Sequence, residues 1–469
     1  MAAAGHGGTE RPALGPWPAR PPTPPTSRAL AGTGAVVLAV AATKWGAYLG
    51  VAPIFPIDVL LAMALIAGLG AYSMSGPRSA RGAAGRGWPG VVAAVLLLYA
   101  TLRFAFGSDH GLTALRDLAP YGYLFVAFLS ARSLFLSTRE ARSRTVRLIE
   151  AALLFHLAWV LLALLWPAAV QRMPVIDATQ NLHLFSLRGA TDATIVGITG
   201  ALYLMRFLQE GRGRQLLVVV VSLVVVLTTP ARAAVLATVL AFALTVLCFY
   251  CSPRPLVRQR RKILLAGALP ALVLLTGLVL PQTAAGAKLL AGFGLTAVKS
   301  QADRSAIGTM RGRSTAWSRV NFYVRESGNG LVGVGFGADF LGAAGARDPL
   351  GNGPYLRSPH NYFVGTYARL GAVGLGLLLL LLMTAVREAV RCRRVAAADP
   401  LVLFAIVFPS AFLTSGAVGV ELEAPFGAVP FFWCLGILLS RPQSTMDTRS
   451  TTDAPPTADR PAGGPSWQR

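Results

Sequence analysis

A few side chains in this sequence combine the right chemistry with an informative position: Arg188, Arg232, Arg313 and His360. A guanidinium can grip a phosphate or diphosphate through two parallel N–H donors, and a neutral imidazole can take a proton near pH 7. Arg313 lies in MRGRSTAWSRVNFYVRE (310–326), where helical spacing puts Arg313, Trp317, Val320 and Val324 on one face and Arg311, Ser318 and Arg325 on another. His360 follows in RSPHNY (357–362), next to Arg357 and just before an apolar run. Arg232 ends the tight TTPAR connection, and Arg188 opens LRGATD. Each has a plain alternative: an arginine at a helix end can simply snorkel to water, and a lone histidine is usually packed structure.

The elements that must position these groups are membrane helices. The 469 residues are 54% hydrophobic and 13% charged, with mean hydropathy +0.56, more apolar surface than a water-soluble core of ordinary proportions can hide. Apolar runs bounded by arginine, glycine and proline predict helices at 31–50, 56–74, 89–106, 118–136, 147–166, 190–207, 214–229, 232–250, 263–281, 361–385, 400–416 and 426–440. The fold class expected is therefore an all-α polytopic membrane protein of about twelve transmembrane helices, with a large external loop between helices 9 and 10. Its domains read as a disordered tail at 1–28, a membrane domain at 29–441 with the loop at 283–358, and a second disordered tail at 442–469.

The net charge of +23 follows the same plan. Lysine and arginine gather in the short connections on one side, such as Arg139, Arg142, Arg144 and Arg147, which orients both termini to the cytoplasm of a multi-pass cell-membrane protein. Nucleic acid is not needed to explain the charge. Nine further cations crowd the 283–358 loop, where a short-loop topology rule supplies no reason for them. Anionic ligands and simple solvation are the two reasons open. The four cysteines fall in or beside predicted helices, and the lone CxxC at Cys248 and Cys251 reads as packing rather than a metal or redox centre. The glycine-rich stretch 328–340 has no following lysine-serine or lysine-threonine, so it reads as tight turns docking the loop rather than a phosphate-cradling P-loop. GxSxG and HExxH are absent.

The order of these features resembles the O-antigen ligase and O-antigen polymerase family. The likeness rests on the Thr229-x-x-Arg232 hairpin, the Arg313-x-x-x-Trp317 helix, GVGFG at 333–337 and SPHNYFVGTYARLGAVGL at 358–375, and spans about residues 30 to 440. It implies a GT-C-type membrane glycosyltransferase. Such an enzyme takes a glycan from a polyprenyl-pyrophosphate donor on the outer face of the cytoplasmic membrane and joins it to a glycan or lipid acceptor. It would need no cofactor and no metal. The resemblance implies catalytic roles for Arg232 and Arg313 on the diphosphate and for His360 on the acceptor hydroxyl. Arg188, Arg311, Arg357, Asn361 and Trp317 are expected to add substrate contacts, with membrane lipids as the surrounding partners. A polytopic transporter or flippase of lipid-linked sugars is the competing expectation, and it calls for ionisable groups near the middle of helices, where His156 is the main candidate.

Overall fold

The computed structural model describes residues 63, 88–107, 111–135, 139–177, 182–229, 231–252, 301–350 and 357–439. The helices expected at 31–50, 56–74 and 263–281, both tails and the first part of the long loop lie outside the described residues. Among the described residues the chain forms twelve α-helices. These are α1 (Trp88–Ala105), α2 (Leu112–Phe135), α3 (Arg139–Leu165), the one-turn α4 (Pro167–Gln171), α5 (Gly189–Glu210), α6 (Gly213–Thr228), α7 (Arg232–Tyr250), α8 (Gln301–Glu326), the one-turn α9 (Phe340–Ala343), α10 (Tyr362–Ala396), α11 (Pro400–Gly416) and α12 (Pro425–Leu439). A two-stranded antiparallel ribbon, β1 (Val175–Asp177) and β2 (Leu182–His183), precedes α5.

Among the described residues, four segments are long and apolar enough to cross a membrane: α1, Arg142–Leu165 within α3, α7 and α10. Helices α6, α11 and α12 are apolar but shorter. Their flanks leave large apolar side chains uncovered, among them Leu98, Phe155, Val224, Val239 and Met383, which suits lipid rather than water as the solvent. Helix α12 is buried on all sides, from Phe426 to Leu438. Close approach relies on small residues: a Cβ on Gly436 would fall 2.6 Å from Ala131, and one on Gly197 would fall 2.0 Å from Thr238 Oγ1.

The nine expected helices that fall within the described residues are present, and three are longer than apolar runs reveal. Helix α2 starts at Leu112 rather than 118, α3 at Arg139 rather than 147, and α10 continues to Ala396 rather than 385. In each case the added turns carry charge, such as Arg116 and Asp117 or Arg387 to Arg394, which an apolar criterion stops at. The amphipathic segment expected at 310–326 is likewise the second half of a longer helix, α8.

One packing feature organises the loop. Helix α10 is broken at Gly371, whose φ of +65° and ψ of −166° are non-helical. The backbone groups freed by the break are taken up by the glycine-rich stretch. Val334 N–H donates to Ala368 O (2.8 Å) and Gly335 N–H to Arg369 O (3.1 Å), while Ala372 N–H and Val373 N–H donate to Gly330 O (2.9 Å) and Leu331 O (3.2 Å). Tyr99 and Arg103 of α1 clamp the same junction, with Tyr99 Oη donating to Leu370 O (3.1 Å) and Arg103 Nη2 to Gly333 O (2.7 Å). Gly333 and Gly371 have no substitute here. Both have positive φ, and a Cβ would come within 2.4 Å of Arg369 or 2.3 Å of Leu331 backbone atoms. Gly371→Ala is therefore expected to destabilise the protein by roughly 3 kcal/mol, read as a lowered Tm in detergent, and Gly376→Ala, where a Cβ meets nothing within 4 Å, serves as the neutral control.

Candidate functional site

The site is built at the end of the bundle where α1, α3, α6 and α11 finish and α2, α5, α7, α10 and α12 begin. Helix α8 lies across this end. Its apolar face, Ala316, Val320 and Val324, is fully buried against Phe340, Leu341, Ala346 and Ala368. That packing directs Arg313, one turn earlier on the same face, into the bundle, where Nη1 donates to Val418 O (2.5 Å) just past the end of α11. Trp317 Nε1 donates to Pro359 O (2.7 Å) and so ties α8 to the segment that carries His360.

His360 sits in the left-handed region, with φ of +56°. For a residue with a Cβ this costs about 1 kcal/mol. The conformation is held from both sides. Asn361 caps α10 by accepting from Phe363 N–H (3.0 Å) and Val364 N–H (3.1 Å), and His360 N–H donates to Ser358 Oγ (3.2 Å). Burial first and the Arg313 charge second press the imidazole down from its ordinary 6.5 to about 4, so it is neutral at pH 7.

Arg313 is itself pushed down by burial and then by the Arg232 charge, while Glu421 works the other way. Glu421 is pushed up by burial, against the opposing pull of its own backbone, Ser415, Arg313 and Arg188. These mutual influences define one neighbourhood made of Arg188, Arg232, Arg313, His360 and Glu421. Arg232 is the first residue of α7, half-buried after the turn in which Ala231 N–H donates to Thr229 O (2.7 Å). That turn leans on the start of α5, since a Cβ on Gly189 would lie 3.3 Å from Thr229 and 3.9 Å from Ala231. Arg188 stands at the N-cap position of α5 without a side-chain cap, and its backbone N–H donates to Asp192 Oδ2 (2.6 Å). Asp192 is supported in turn by the buried His156, whose Nε2 lies 3.6 Å from Oδ1. His156 is thus a packed partner under Arg188, edge-on to Trp159 at 5.0 Å.

The other expected contact residues are placed differently. Arg311 is exposed on the far side of α8. Arg357 turns inward to Asp117 Oδ2 (2.6 Å) and Gly337 O (3.1 Å). Asn361 spends its side-chain oxygen on the cap, and Trp317 its N–H on Pro359. Arg188, Arg232, Arg313 and His360 are therefore brought together, whereas Arg311, Arg357, Asn361 and Trp317 surround or support them.

Sequence reasoning missed the carboxylates. Asp117 Oδ1 lies 3.5 Å from Arg369, Arg369 Nη1 lies 3.4 Å from Glu423 Oε2, and Arg369 Nη2 donates to Arg357 O (3.2 Å). Ser358 Oγ donates to Glu423 Oε1 (2.7 Å), which closes the chain of contacts onto the His360 segment. Gly365 leaves the room this needs, because a Cβ there would be 3.0 Å from Glu423 Oε1. Asp117, Arg357, Arg369 and Glu423 form a quartet of two cations and two carboxylates, with Asp117 and Arg369 buried and Arg357 and Glu423 half-buried. Its signal in the sequence was the pair of acids in VELEAP, isolated between two wholly apolar runs. Among the described residues no three histidine, cysteine, aspartate or glutamate side chains are arranged to hold a metal ion.

Neither a family model nor a curated protein matches this chain. The geometry of the site carries the functional argument.

Two outcomes test this construction. Asp117→Asn, which leaves Arg357 and Arg369 short of a buried partner, is expected to cost about 3 kcal/mol of stability by thermal unfolding in detergent. His360→Asn is expected to keep or slightly raise stability, since asparagine tolerates positive φ. Because the folded pKa of His360 lies below its ordinary value, the folded state binds fewer protons between pH 6.5 and about 4. The wild-type Tm should fall through that window, and more steeply than that of His360→Asn.

Proposed function

We propose that the protein is a membrane glycosyltransferase that moves a glycan from a polyprenyl-pyrophosphate carrier to an acceptor hydroxyl, as a surface-polysaccharide polymerase or ligase with a GT-C-like helical frame. The observation that carries this reading is the gathering of Arg188, Arg232 and Arg313, from three distant parts of the chain, beside the neutral His360. Glu421 lies among them. A diphosphate is an anion that several guanidiniums can grip together through paired N–H donors.

In the transfer, the acceptor oxygen attacks the anomeric carbon as the bond from that carbon to the diphosphate oxygen breaks. The diphosphate leaves with the bonding electrons, and the arginines stabilise the charge that grows on it. The hydroxyl proton goes to His360. An imidazole with a pKa near 4 is a weak base, but the arriving diphosphate neutralises Arg313 and so removes one cause of the depression. His360 is then a better base with a donor in place than without one, while burial still holds it below its ordinary value.

The placement of charge supports a site on the outer face of the cytoplasmic membrane. Arg142, Arg144, Arg147, Arg206, Arg212, Arg214, Arg391, Arg393 and Arg394 all belong to the opposite end of the bundle, where the positive-inside tendency puts the cytoplasm. Transfer rather than carriage is favoured because Asp117 and Asp192 sit in the first two turns of α2 and α5 and Arg369 just past the second turn of α10, toward the site end, instead of midway along a translocation path.

Arg232→Gln, Arg313→Gln and His360→Asn, each reconstituted in proteoliposomes with a purified polyprenyl-pyrophosphate glycan, are expected to lower transfer about 100-fold or more while remaining in the membrane. A wild-type protein that carries the donor across the bilayer without forming a new glycosidic bond overturns the reading.

A further inference from the structure

The segment that delivers Arg188 to the site is strained, and one turn of α3 holds it. Among the described residues, Phe185 and His360 are the non-glycine residues with positive φ, and Phe185 stands at +65°. A bulky side chain rarely adopts that region unless its surroundings impose it. Trp159 of α3 supplies one constraint: its Nε1–H donates to Phe185 O (3.0 Å), and the two rings pack at 6.2 Å. His156, three residues earlier, is fully buried and edge-on to Trp159, and its Nε2 lies 3.6 Å from Asp192 Oδ1. Asp192 in turn holds Arg188 by both backbone groups. Its Oδ2 accepts from Arg188 N–H (2.6 Å), and its own N–H donates to Arg188 O (3.0 Å).

The next residue shows where this placement leads. Gly189 abuts the turn before Arg232, with room for a Cβ only 3.3 Å from Thr229 and 3.9 Å from Ala231. Beneath both segments lies an apolar floor to which Val160, Val196, Val225 and Ala234 contribute, one each from α3, α5, α6 and α7. Apolar packing has no direction, so the floor alone does not fix how residues 185–188 lie on it. The hydrogen bonds from Trp159 and Asp192 do. An imidazole and a carboxylate are also costlier to bury than an aliphatic pair of the same volume, so orientation rather than bulk stability is what they add.

We propose that His156 is a positioning residue of the transfer site: through Asp192, and together with Trp159, it sets the place of Arg188 beside the Arg232 turn. This rests on the diphosphate reading of the arginines. His156 touches no substrate. It holds the Asp192 carboxylate, Asp192 holds the backbone of Arg188, and the Arg188 guanidinium is thereby kept where the diphosphate lands. Loss of His156 is then a loss of grip on the donor, with acceptor binding and proton transfer to His360 untouched.

The test uses full-length protein in nanodiscs, with inorganic pyrophosphate as the calorimetric probe and transfer kinetics alongside. His156→Phe keeps a ring against Trp159 and removes the reach to Asp192. It is expected to weaken pyrophosphate binding and raise KM for the donor, each about tenfold, with KM for the acceptor unchanged. His156→Gln, whose amide N–H can still reach Asp192, is expected to return both to within about threefold of wild type. In an Arg188→Gln background, His156→Phe is expected to change either by less than about twofold, because the group it positions is already gone. A merely structural role would lower Tm and kcat and leave pyrophosphate affinity and donor KM alone. Should His156→Phe not fold, Trp159→Phe, which keeps the core filled and removes the N–H to Phe185 O, is expected to weaken pyrophosphate binding about threefold. Unchanged pyrophosphate affinity in the folded variant, or an effect that adds in full to that of Arg188→Gln, overturns the positioning role and leaves the donor reading standing. A wild-type protein that does not bind pyrophosphate overturns both.

Discussion

Everything at the site end depends on one buried guanidinium, that of Arg369. It lies where water cannot solvate it, and it is tolerable there only because Asp117 and Glu423 approach from two other helical elements. Each of those carboxylates has a second duty. Asp117 holds Arg357 and the Gly337 amide, and Glu423 holds Ser358, so the quartet draws α2, α10, the glycine-rich stretch and the turn before α12 to a single point. The strained backbone of His360 is a product of this convergence, because the residues on either side of it are already committed.

The quartet and the arginine cluster show how the same residue type takes on opposite roles. Arg357 and Arg369 are matched one for one by carboxylates, and their charge is consumed inside the protein. Arg188 and Arg313 both act on Glu421, and Arg232 acts on Arg313, so these charges meet at the site end rather than in a matched pair. Which role an arginine plays is set by the placement of acidic partners, and those come from elsewhere in the chain.

That division explains what could be read from the sequence. Helices such as α7 and α11 were legible to the residue, because apolar length and the flanking turns act locally. The face of α8 was legible for the same reason, since Val320 and Val324 follow the helical period. Arg232, Arg313 and His360 could be singled out by their order along the chain. Arg357 could not be told from them, because its partner Asp117 is 240 residues away, and Asp117 fell outside the apolar run used to place α2. Asn361 read as a possible contact residue, and the cap that its side-chain oxygen gives α10 could not be foreseen because it depends on the helix starting at Tyr362.

The break at Gly371 has a consequence for how the chain is made. Residues 330–335 leave the ribosome before the helix whose interrupted backbone they complete, and until they meet, α10 has carbonyl and amide groups facing a medium that cannot satisfy them. The helix is thus incomplete as an inserted rod and becomes whole only when its own upstream loop arrives. The site end is finished by a docking contact, and the chain carries within itself the piece that completes the helix.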